Sequence, residues 1–274
     1  MTKNISIVVP SIRPENLNKF YDFTEKACRK YTFELVIPSP YILPEQILKK
    51  KNVKFLHTYA NPTLAFQMAS NLCDADFIYN TTDDGLIQEN TIDEALDLFY
   101  KNIINPLDLI NMRYDEAVLD RDTLELLSTN HKHFPLSYWE AHSYYEFSRF
   151  QCVKPWFKTC PHFLMSLKYF QQLGGFDCNY EYSNHALHDL AFRAQENGSV
   201  VVNSPSVAFY CSHGHSDHKP IEDAQLGPDL FRFNQIYGNL SSLKDRVFLK
   251  YDDWKGRPDI WSRRFDENNL KINK

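Results

Sequence analysis

The chain has 274 residues, of which 43% are apolar and 15% aromatic, so it can bury a large core. Its formal net charge of −5 argues against a protein whose main task is to cover phosphate backbones, and we expect no nucleic-acid partner. Its 8 glycines and 14 prolines are too few for a low-complexity or collagen-like chain.

The first hundred residues alternate predicted strands and helices. Short runs rich in β-branched or apolar residues predict buried strands at 5–9, 33–37, 53–56 and 77–79. Helices are predicted between and after them: one after Pro14, a short lysine-rich one before residue 53, one that begins at Asn61-Pro62, and one that carries Ile92, Ala95, Leu96 and Phe99 on one face. This order predicts a mostly parallel central sheet with helices on both faces.

The second half of the sequence is less regular. Residues 131–160 are rich in His, Tyr, Trp and Phe without a clear period, which indicates a long loop region with short elements. After it we predict a strand at 162–165, a helix at 183–196 that ends at Asn197-Gly198, and strands at 200–202 and 207–210. We predict one domain over 1–227, with a nucleotide- and metal-binding half at about 1–115 and an acceptor half at about 116–227. Residues 228–274 are expected to form a C-terminal extension that packs on this domain.

Candidate chemistry lies where predicted strands end. In an open α/β sheet, ligands bind outside the carboxyl ends of the strands, which is where residues 10–13, residues 82–85 and the stretch around His213 are expected. Two adjacent carboxylates, Asp83 and Asp84, are costly to hold together unless a positive charge lies beside them. A divalent cation that bridges to phosphates is the usual solution. The alternative is an ordinary Asp-Asp-Gly turn that caps the following helix.

Five motifs occur in a recognisable order. They are SIVVPS followed by R-P, then NPTLA, DADFIYNTTDDG, LGGFD at 173–177 and HDLAFR at 188–193. Over roughly residues 4–215 this order resembles the GT-A fold glycosyltransferases that use nucleotide-diphospho-sugars, family 2-like. The resemblance implies a single GT-A-like (Rossmann-like) α/β domain, with a mostly parallel sheet flanked by helices and an irregular, aromatic-rich second half.

The same resemblance implies an activity. It is the transfer of a sugar from a nucleoside-diphosphate sugar, with a UDP-sugar as the expected donor, to a hydroxyl of a glycan or another acceptor. Such a reaction is expected to be assisted by Mn²⁺ or Mg²⁺ and to invert the sugar's configuration. Asp84 matches the metal-binding position and Asp83 the nucleotide-binding turn, although Thr82 stands where an acidic residue is usual. Asp189 matches the base that deprotonates the acceptor; the alternative is a carboxylate that stabilises a helix N-terminus.

The nucleotide is expected to be held by several residues outside that turn. The end of the second predicted strand, Val36-Ile37-Pro38-Ser39-Pro40, lacks the acidic residues that family members carry there. We therefore expect Pro10, Ser11, Arg13 and Asn61 to contribute, because the planar fork of an arginine suits a diphosphate. For Arg13 the alternative is a surface arginine at a helix start.

The histidine cluster His213-Gly214-His215-Ser216-Asp217-His218 allows three interpretations, of which the plainest is a solvated polar loop. In a glycosyltransferase, His213 or His215 could join Asp84 on the metal. Taken alone, the pattern also resembles the zinc motif of metallo-β-lactamase-fold hydrolases, although no histidine follows His218 to complete such a site. The zinc hydrolase and a non-catalytic GT-A-like module that binds nucleotide or glycan are the alternative functions.

Aromatic side chains in the irregular region could stack on sugar faces, fill the core or form a subunit interface. They are Tyr138, Trp139, His142, Tyr144, Tyr145, Trp156 and Phe157.

The chain carries no recognisable targeting signal, and we expect a cytoplasmic protein. Residues 1–10 lack the charged start, long apolar stretch and cleavage site of a secretory signal. No apolar run approaches the roughly 18–20 residues that span a bilayer, so no membrane span is expected. The 6 cysteines are scattered, which favours reduced thiols.

Overall fold

The structure, a computed structural model, describes residues 3–120, 126–129, 158–212, 227–237 and 261. Its strands are β1 (Ile5–Val8), β2 (Phe33–Ser39), β3 (Val53–His57), β4 (Phe77–Asn80), β5 (Gly85–Ile87), β6 (Leu109–Asn111), β7 (Tyr114–Leu119), β8 (Leu126–Thr129), β9 (Phe163–Ser166), β10 (Val201–Asn203) and β11 (Phe209–Cys211). Its α-helices are α1 (Leu17–Ala27), α2 (Glu45–Leu48), α3 (Pro62–Ser70), α4 (Thr91–Tyr100), α5 (Leu167–Gln172), α6 (Ser183–Glu196) and α7 (Pro228–Tyr237).

A seven-stranded sheet in the order β10-β6-β9-β4-β1-β2-β3 forms the centre of this structure. Strands β3, β2, β1 and β4 are parallel neighbours, and β6 pairs in parallel with β10. Strand β9 lies between β4 and β6 and runs antiparallel to both. The sheet is therefore mostly parallel, as the alternating order of elements predicts.

Helices cover both faces of this sheet. Alternate residues of the central strands point to opposite faces, so β1 supplies Val8 to one core and Ile7 to the other. The core that contains Val8 lies under α3, α5, α6 and α7, and the other lies under α1, α2 and α4. The predicted fold class, a sheet with helices on both faces, is confirmed.

A second sheet, in the order β5-β11-β7-β8, was not predicted from the sequence. Strand β11 pairs antiparallel with β5 and parallel with β7, and β7 pairs antiparallel with β8. Strands β5 and β11 have three residues each, too short to show a period in the sequence. This sheet brings the end of β11 against the start of β5, directly after the Asp83-Asp84 turn.

Most predicted element boundaries agree with the structure. Helix α6 spans the predicted residues 183–196, and Asn61 is the N-cap of α3. Strand β2 continues through Pro38 to Ser39, beyond the predicted stop, because its Pro38 carbonyl accepts a hydrogen bond from the Ser11 amide at 2.9 Å. Among the described helices, none has the length and apolar character needed to cross a membrane. The division at residue 227 stays a prediction.

A buried charge, Glu34, lies near the start of β2 with only 2% exposure. Its carboxylate accepts hydrogen bonds from the Ser6 hydroxyl at 2.5 Å and the Asp74 amide at 3.1 Å. The ammonium group of Lys54 on β3 lies 2.7 Å from it. These contacts supply the partners that a carboxylate needs in the interior, and they bind the α3–β4 connection to the sheet.

We predict that Lys54→Met lowers the free energy of unfolding by about 1–3 kcal/mol, because the buried Glu34 carboxylate loses the ammonium group that faces it from β3. The same change in a Glu34→Gln background should cost less, since a neutral amide needs no cation. Urea denaturation of the four proteins in this double-mutant cycle measures the difference. Equal losses in both backgrounds would contradict the assignment.

Candidate functional site

The candidate site lies at the carboxyl ends of β1 and β4. These strands are parallel neighbours, with Val8 opposite Asn80, so the loops that follow them leave the sheet side by side. The Thr81 amide donates to the Val8 carbonyl at 3.0 Å and continues this pairing beyond the strands. Residues far apart in sequence, 9–13 and 81–84, are thereby brought together at the edge where open α/β sheets bind ligands.

Asp83 joins the two loops through one carboxylate. Its Oδ2 atom accepts hydrogen bonds from the Ser11 hydroxyl at 2.9 Å and from the amides of Ile12 at 3.0 Å and Arg13 at 2.9 Å. Its Oδ1 atom lies 2.7 Å from Nη1 of Arg13. The Asp83 carbonyl also accepts a bond from the Asn16 side-chain amide at 3.3 Å. The structure thus brings Ser11, Arg13 and Asp83 together, and their role in holding a nucleotide stays a prediction.

The Asp83 side chain depends on these partners because it is buried, at 4% exposure. Burial raises the pKa of the Asp83 carboxyl, and the Arg13 guanidinium opposes that shift by favouring the charged form. The nearby Asp84 carboxylate adds to the upward shift. Asp83 is thus a carboxylate whose contacts are used to hold the loop after β1, with Arg13 as the compensating charge.

Asp84, by contrast, is only half-buried. Its Oδ1 atom accepts a hydrogen bond from the Thr82 hydroxyl at 2.5 Å, so Thr82 orients this carboxylate. The Asp84 carbonyl accepts a bond from the Ser212 amide at 2.9 Å, at the end of β11. Of the two adjacent carboxylates, Asp84 is the one presented at the edge of the sheet.

Two residues that the sequence interpretation did not single out lie beside Asp84. Burial, and then the charge of Asp84, raises the pKa of the Tyr182 phenol. The same two causes raise the pKa of the Cys211 thiol well above its usual value. Tyr182 immediately precedes the predicted helix at 183–196, and that position is the one sequence signal that could have suggested it.

The remaining predicted ligands are placed as follows. Pro10 is half-buried in the loop that leads from β1 into the Asp83 cluster. Asn61 caps α3, since its Oδ1 atom accepts from the Leu64 amide at 2.9 Å. Its neighbour Thr63 donates its amide to the Glu181 carbonyl at 3.3 Å, which ties the start of α3 to the segment before α6.

The other predicted features cannot be compared with the structure. His213 and His215 lie outside the described residues, and so do the aromatic residues of the irregular region. Their roles as metal ligands and as sugar-stacking groups stay predictions.

Asp189, the predicted base, lies in the core. It is 0% exposed, and its two oxygens are both engaged. Nε of Arg193 lies 2.9 Å from Oδ2, and the Tyr237 hydroxyl donates to Oδ1 at 2.7 Å. A base must reach an acceptor hydroxyl, whereas these contacts give Asp189 a structural role; its role as the base stays a prediction.

The Asp189–Arg193 pair explains the two late sequence motifs. Arg193 donates to the carbonyls of Leu173 at 2.6 Å and Gly175 at 2.5 Å. Gly174 and Gly175 both have positive φ angles, 85° and 69°, which L-residues with side chains rarely adopt. A Cβ on Gly175 would also lie 2.3 Å from the Gln67 side chain. The motifs LGGFD and HDLAFR therefore bind each other, and their contacts hold the turn after α5 against α6.

Comparisons with known proteins identify the fold. No protein-family model matches the chain, and no curated protein sequence does. The structure is similar to residues 1–349 of S. aureus TarS, with 14% identity and a TM-score of 0.54 over 89% of this chain and 76% of that one. Similarity extends to TarS in complex with UDP-GlcNAc, at TM-score 0.57, 14% identity and coverage of 87% and 72%. For TarS 1–349 in complex with UDP, the TM-score is 0.55 at 14% identity, over 87% of this chain and 71% of that one.

TarS is a GT-A-type glycosyltransferase, so the GT-A-like fold inferred from the motif order is confirmed. At 14% identity the likeness is one of fold. What the candidate site binds and does has to be argued from its own residues.

We predict that Asp83→Asn lowers the free energy of unfolding by about 3–5 kcal/mol, because it removes a buried carboxylate that the half-buried Arg13 and the neighbouring amides are paired with. Asp84→Asn should cost less than about 1 kcal/mol, since that side chain is half-buried. Urea titration of both variants measures the contrast. A loss of similar size in Asp84→Asn would show that both carboxylates serve the fold.

For Asp189→Asn we also expect a loss of about 3–5 kcal/mol, because Arg193 loses its partner in the core. Tyr237→Phe, which removes a single hydrogen bond to the same carboxylate, should lose about 1 kcal/mol. Thermal and urea unfolding measure both. If Asp189→Asn instead kept full stability while turnover was lost, the side chain would be the base after all.

Proposed function

We propose that the chain is a glycosyltransferase that takes its sugar from a nucleoside-diphosphate sugar, a UDP-sugar by preference, and delivers it to an acceptor hydroxyl. The proposal rests on the contacts of Asp83 with Ser11 and Arg13. They hold the loop after β1 in place and leave the half-buried Asp84 beside it. The TarS structures with UDP and UDP-GlcNAc, which share the fold, support this choice of donor.

A divalent metal fits the chemistry of Asp84. Mg²⁺ and Mn²⁺ favour oxygen ligands, and Mg²⁺ in particular keeps several waters and is bound by one or two carboxylates together with substrate phosphates. Within the described ranges, no group of three or more His, Cys, Asp or Glu side chains could hold an ion by itself. We therefore propose that Asp84 would hold the metal together with the donor's diphosphate, so that metal and nucleotide bind as a unit.

His213 is proposed as a further ligand on the basis of chain connectivity. Ser212 donates its amide to the Asp84 carbonyl at 2.9 Å, and His213 is the next residue along the chain. His215 is the second candidate from the same stretch.

We assign each residue of the site a separate role in the proposed reaction. When bound, the metal would neutralise charge on the diphosphate leaving group. Ser11, Arg13 and Asp83 keep the loop after β1 in a fixed position against the diphosphate, so the site is organised before the donor arrives. Thr82 orients the Asp84 carboxylate. Inversion of the sugar's configuration in a single displacement requires a base on the acceptor side. We do not assign this base to Asp189, because its carboxylate is buried.

The second candidate function is a nucleotide-binding module without turnover. Burial of the predicted base, Asp189, is the observation that favours it. Both candidates predict nucleotide binding, and a turnover measurement separates them.

The test is thermal unfolding with UDP, GDP or CMP, each with and without Mn²⁺, and then with EDTA. We expect UDP to stabilise the protein only when Mn²⁺ is present, by about 2.7 kcal/mol at a concentration 100 times the dissociation constant. Asp84→Asn should lose that stabilisation while keeping the parent's unfolding temperature in the absence of ligand. Release of UDP from UDP-sugars then distinguishes the enzyme from the binding module.

Three outcomes would count against the proposal. Equal stabilisation of Asp84→Asn by UDP and Mn²⁺ would remove Asp84 from the site. An unfolding temperature that none of the three nucleotides changes would contradict a nucleoside-diphosphate sugar as the donor. Destabilisation by EDTA alone, with no response to nucleotide, would favour the zinc hydrolase and its histidine cluster.

A further inference from the structure

We propose that Asp229, on helix α7, is a positioning residue for the candidate donor site and acts through the Glu181–Tyr182 peptide. The proposal rests on the proposed function, because the site that it positions is the nucleotide site described above. Neither the motif order nor the comparisons point to this residue.

Asp229 binds two consecutive amides with its two oxygens. The Glu181 amide donates to Oδ1 at 3.0 Å and the Tyr182 amide to Oδ2 at 2.8 Å. The side chain is 1% exposed and comes from 48 residues further along the chain than Glu181. Two charge-assisted hydrogen bonds from one buried carboxylate fix the direction of this peptide before α6 begins. The carboxylate also lies where the N-terminal end of the α6 dipole favours a negative charge.

The Glu181 side of this peptide is connected to the start of α3. The Glu181 carbonyl accepts from the Thr63 amide at 3.3 Å, two residues after Asn61. The Glu181 carboxylate accepts from Nε1 of Trp261 at 3.3 Å, and the Trp261 amide donates to the Tyr59 carbonyl at 2.9 Å. A shift of Glu181 would therefore move both ends of the β3–α3 loop, which carries Asn61.

Tyr182 is the N-cap residue of α6, and its amide is held by the second oxygen of the Asp229 carboxylate. Burial, and then the charges of Asp84 and Cys211, raise the pKa of its phenol, which supports a position near the Asp84 turn. One carboxylate on α7 thus fixes the peptide that leads into α6 and, through the Glu181 carbonyl, the start of α3 next to Asn61.

A merely structural role for Asp229 makes a different prediction. If the residue only caps α6, its loss lowers stability and leaves nucleotide affinity unchanged in the folded fraction. Tyr237 offers a matched control, because it lies on the same helix and its buried hydroxyl donates to Asp189, away from the Glu181–Tyr182 peptide. A positioning role requires that Asp229 and Tyr237 variants differ in affinity.

The first measurement is the dissociation constant for UDP with Mn²⁺, by calorimetry on the full chain at a temperature where each variant is folded. Asp229→Asn keeps one acceptor and should weaken binding about tenfold. Tyr237→Phe should stay within about twofold of the parent. Asp229→Glu keeps the charge and both acceptors, so it should recover part of the lost affinity, and it serves if Asp229→Asn does not fold.

The second measurement is hydrogen–deuterium exchange without nucleotide, followed in peptides that cover residues 58–65. Asp229→Asn and Trp261→Phe should both speed exchange there, and Tyr237→Phe should not. This readout does not need UDP, so a parent chain that binds no nucleotide would overturn the proposed function while exchange still decides the positioning role.

Unchanged exchange at 58–65 in both Asp229→Asn and Asp229→Glu would overturn the proposal. So would an affinity loss in Tyr237→Phe as large as that in Asp229→Asn, because it would show a general effect of α7 on the fold.

Discussion

The pairing of β1 with β4 is the constraint on which the candidate site depends. Because the strands are parallel neighbours in register, their carboxyl ends leave the sheet at one point, and Asp83 can bind the amides of the loop opposite. A buried carboxylate at this position is stable only with those donors and with Arg13 beside it. The arrangement fixes the position of Asp84, whose carboxylate remains at the surface of the site.

Burial therefore separates the roles of the two adjacent aspartates. Asp83, whose carboxylate is bonded to two amides, a hydroxyl and a guanidinium, stabilises the fold, whereas its half-buried neighbour Asp84 remains available for a ligand. Asp189, far from this turn in the sequence, is likewise a buried carboxylate with a structural partner. Its ion pair with Arg193 holds the Gly174-Gly175 turn, so motifs that look catalytic in sequence form a lock between helices.

The sequence allowed the main sheet and its helices to be predicted, because the strands are buried runs and α3 begins with a recognisable Asn-Pro cap. It did not allow prediction of the second sheet, whose strands β5 and β11 are short and pair across more than a hundred residues. In the site, residue types suggested Ser11, Arg13 and Asp83, but exposure separates Asp84 from Asp189 and is a property of the fold. Asp229 could not have been found, since nothing in its local sequence refers to Glu181.

The antiparallel strand β9 has a consequence for the order in which the chain folds. Residues 3–100 contain β1 to β4 and the helices between them, and the pairings among these four strands lie within this stretch, so they can form while the rest of the chain is still being made. The outer edge of β4, however, has to wait for residues 163–166 before it is paired. Until then a nascent chain carries an open strand edge in the middle of its future sheet, which is the kind of surface that templates aggregation. The number of residues between β4 and β9 thus sets how long that edge stays exposed on the ribosome.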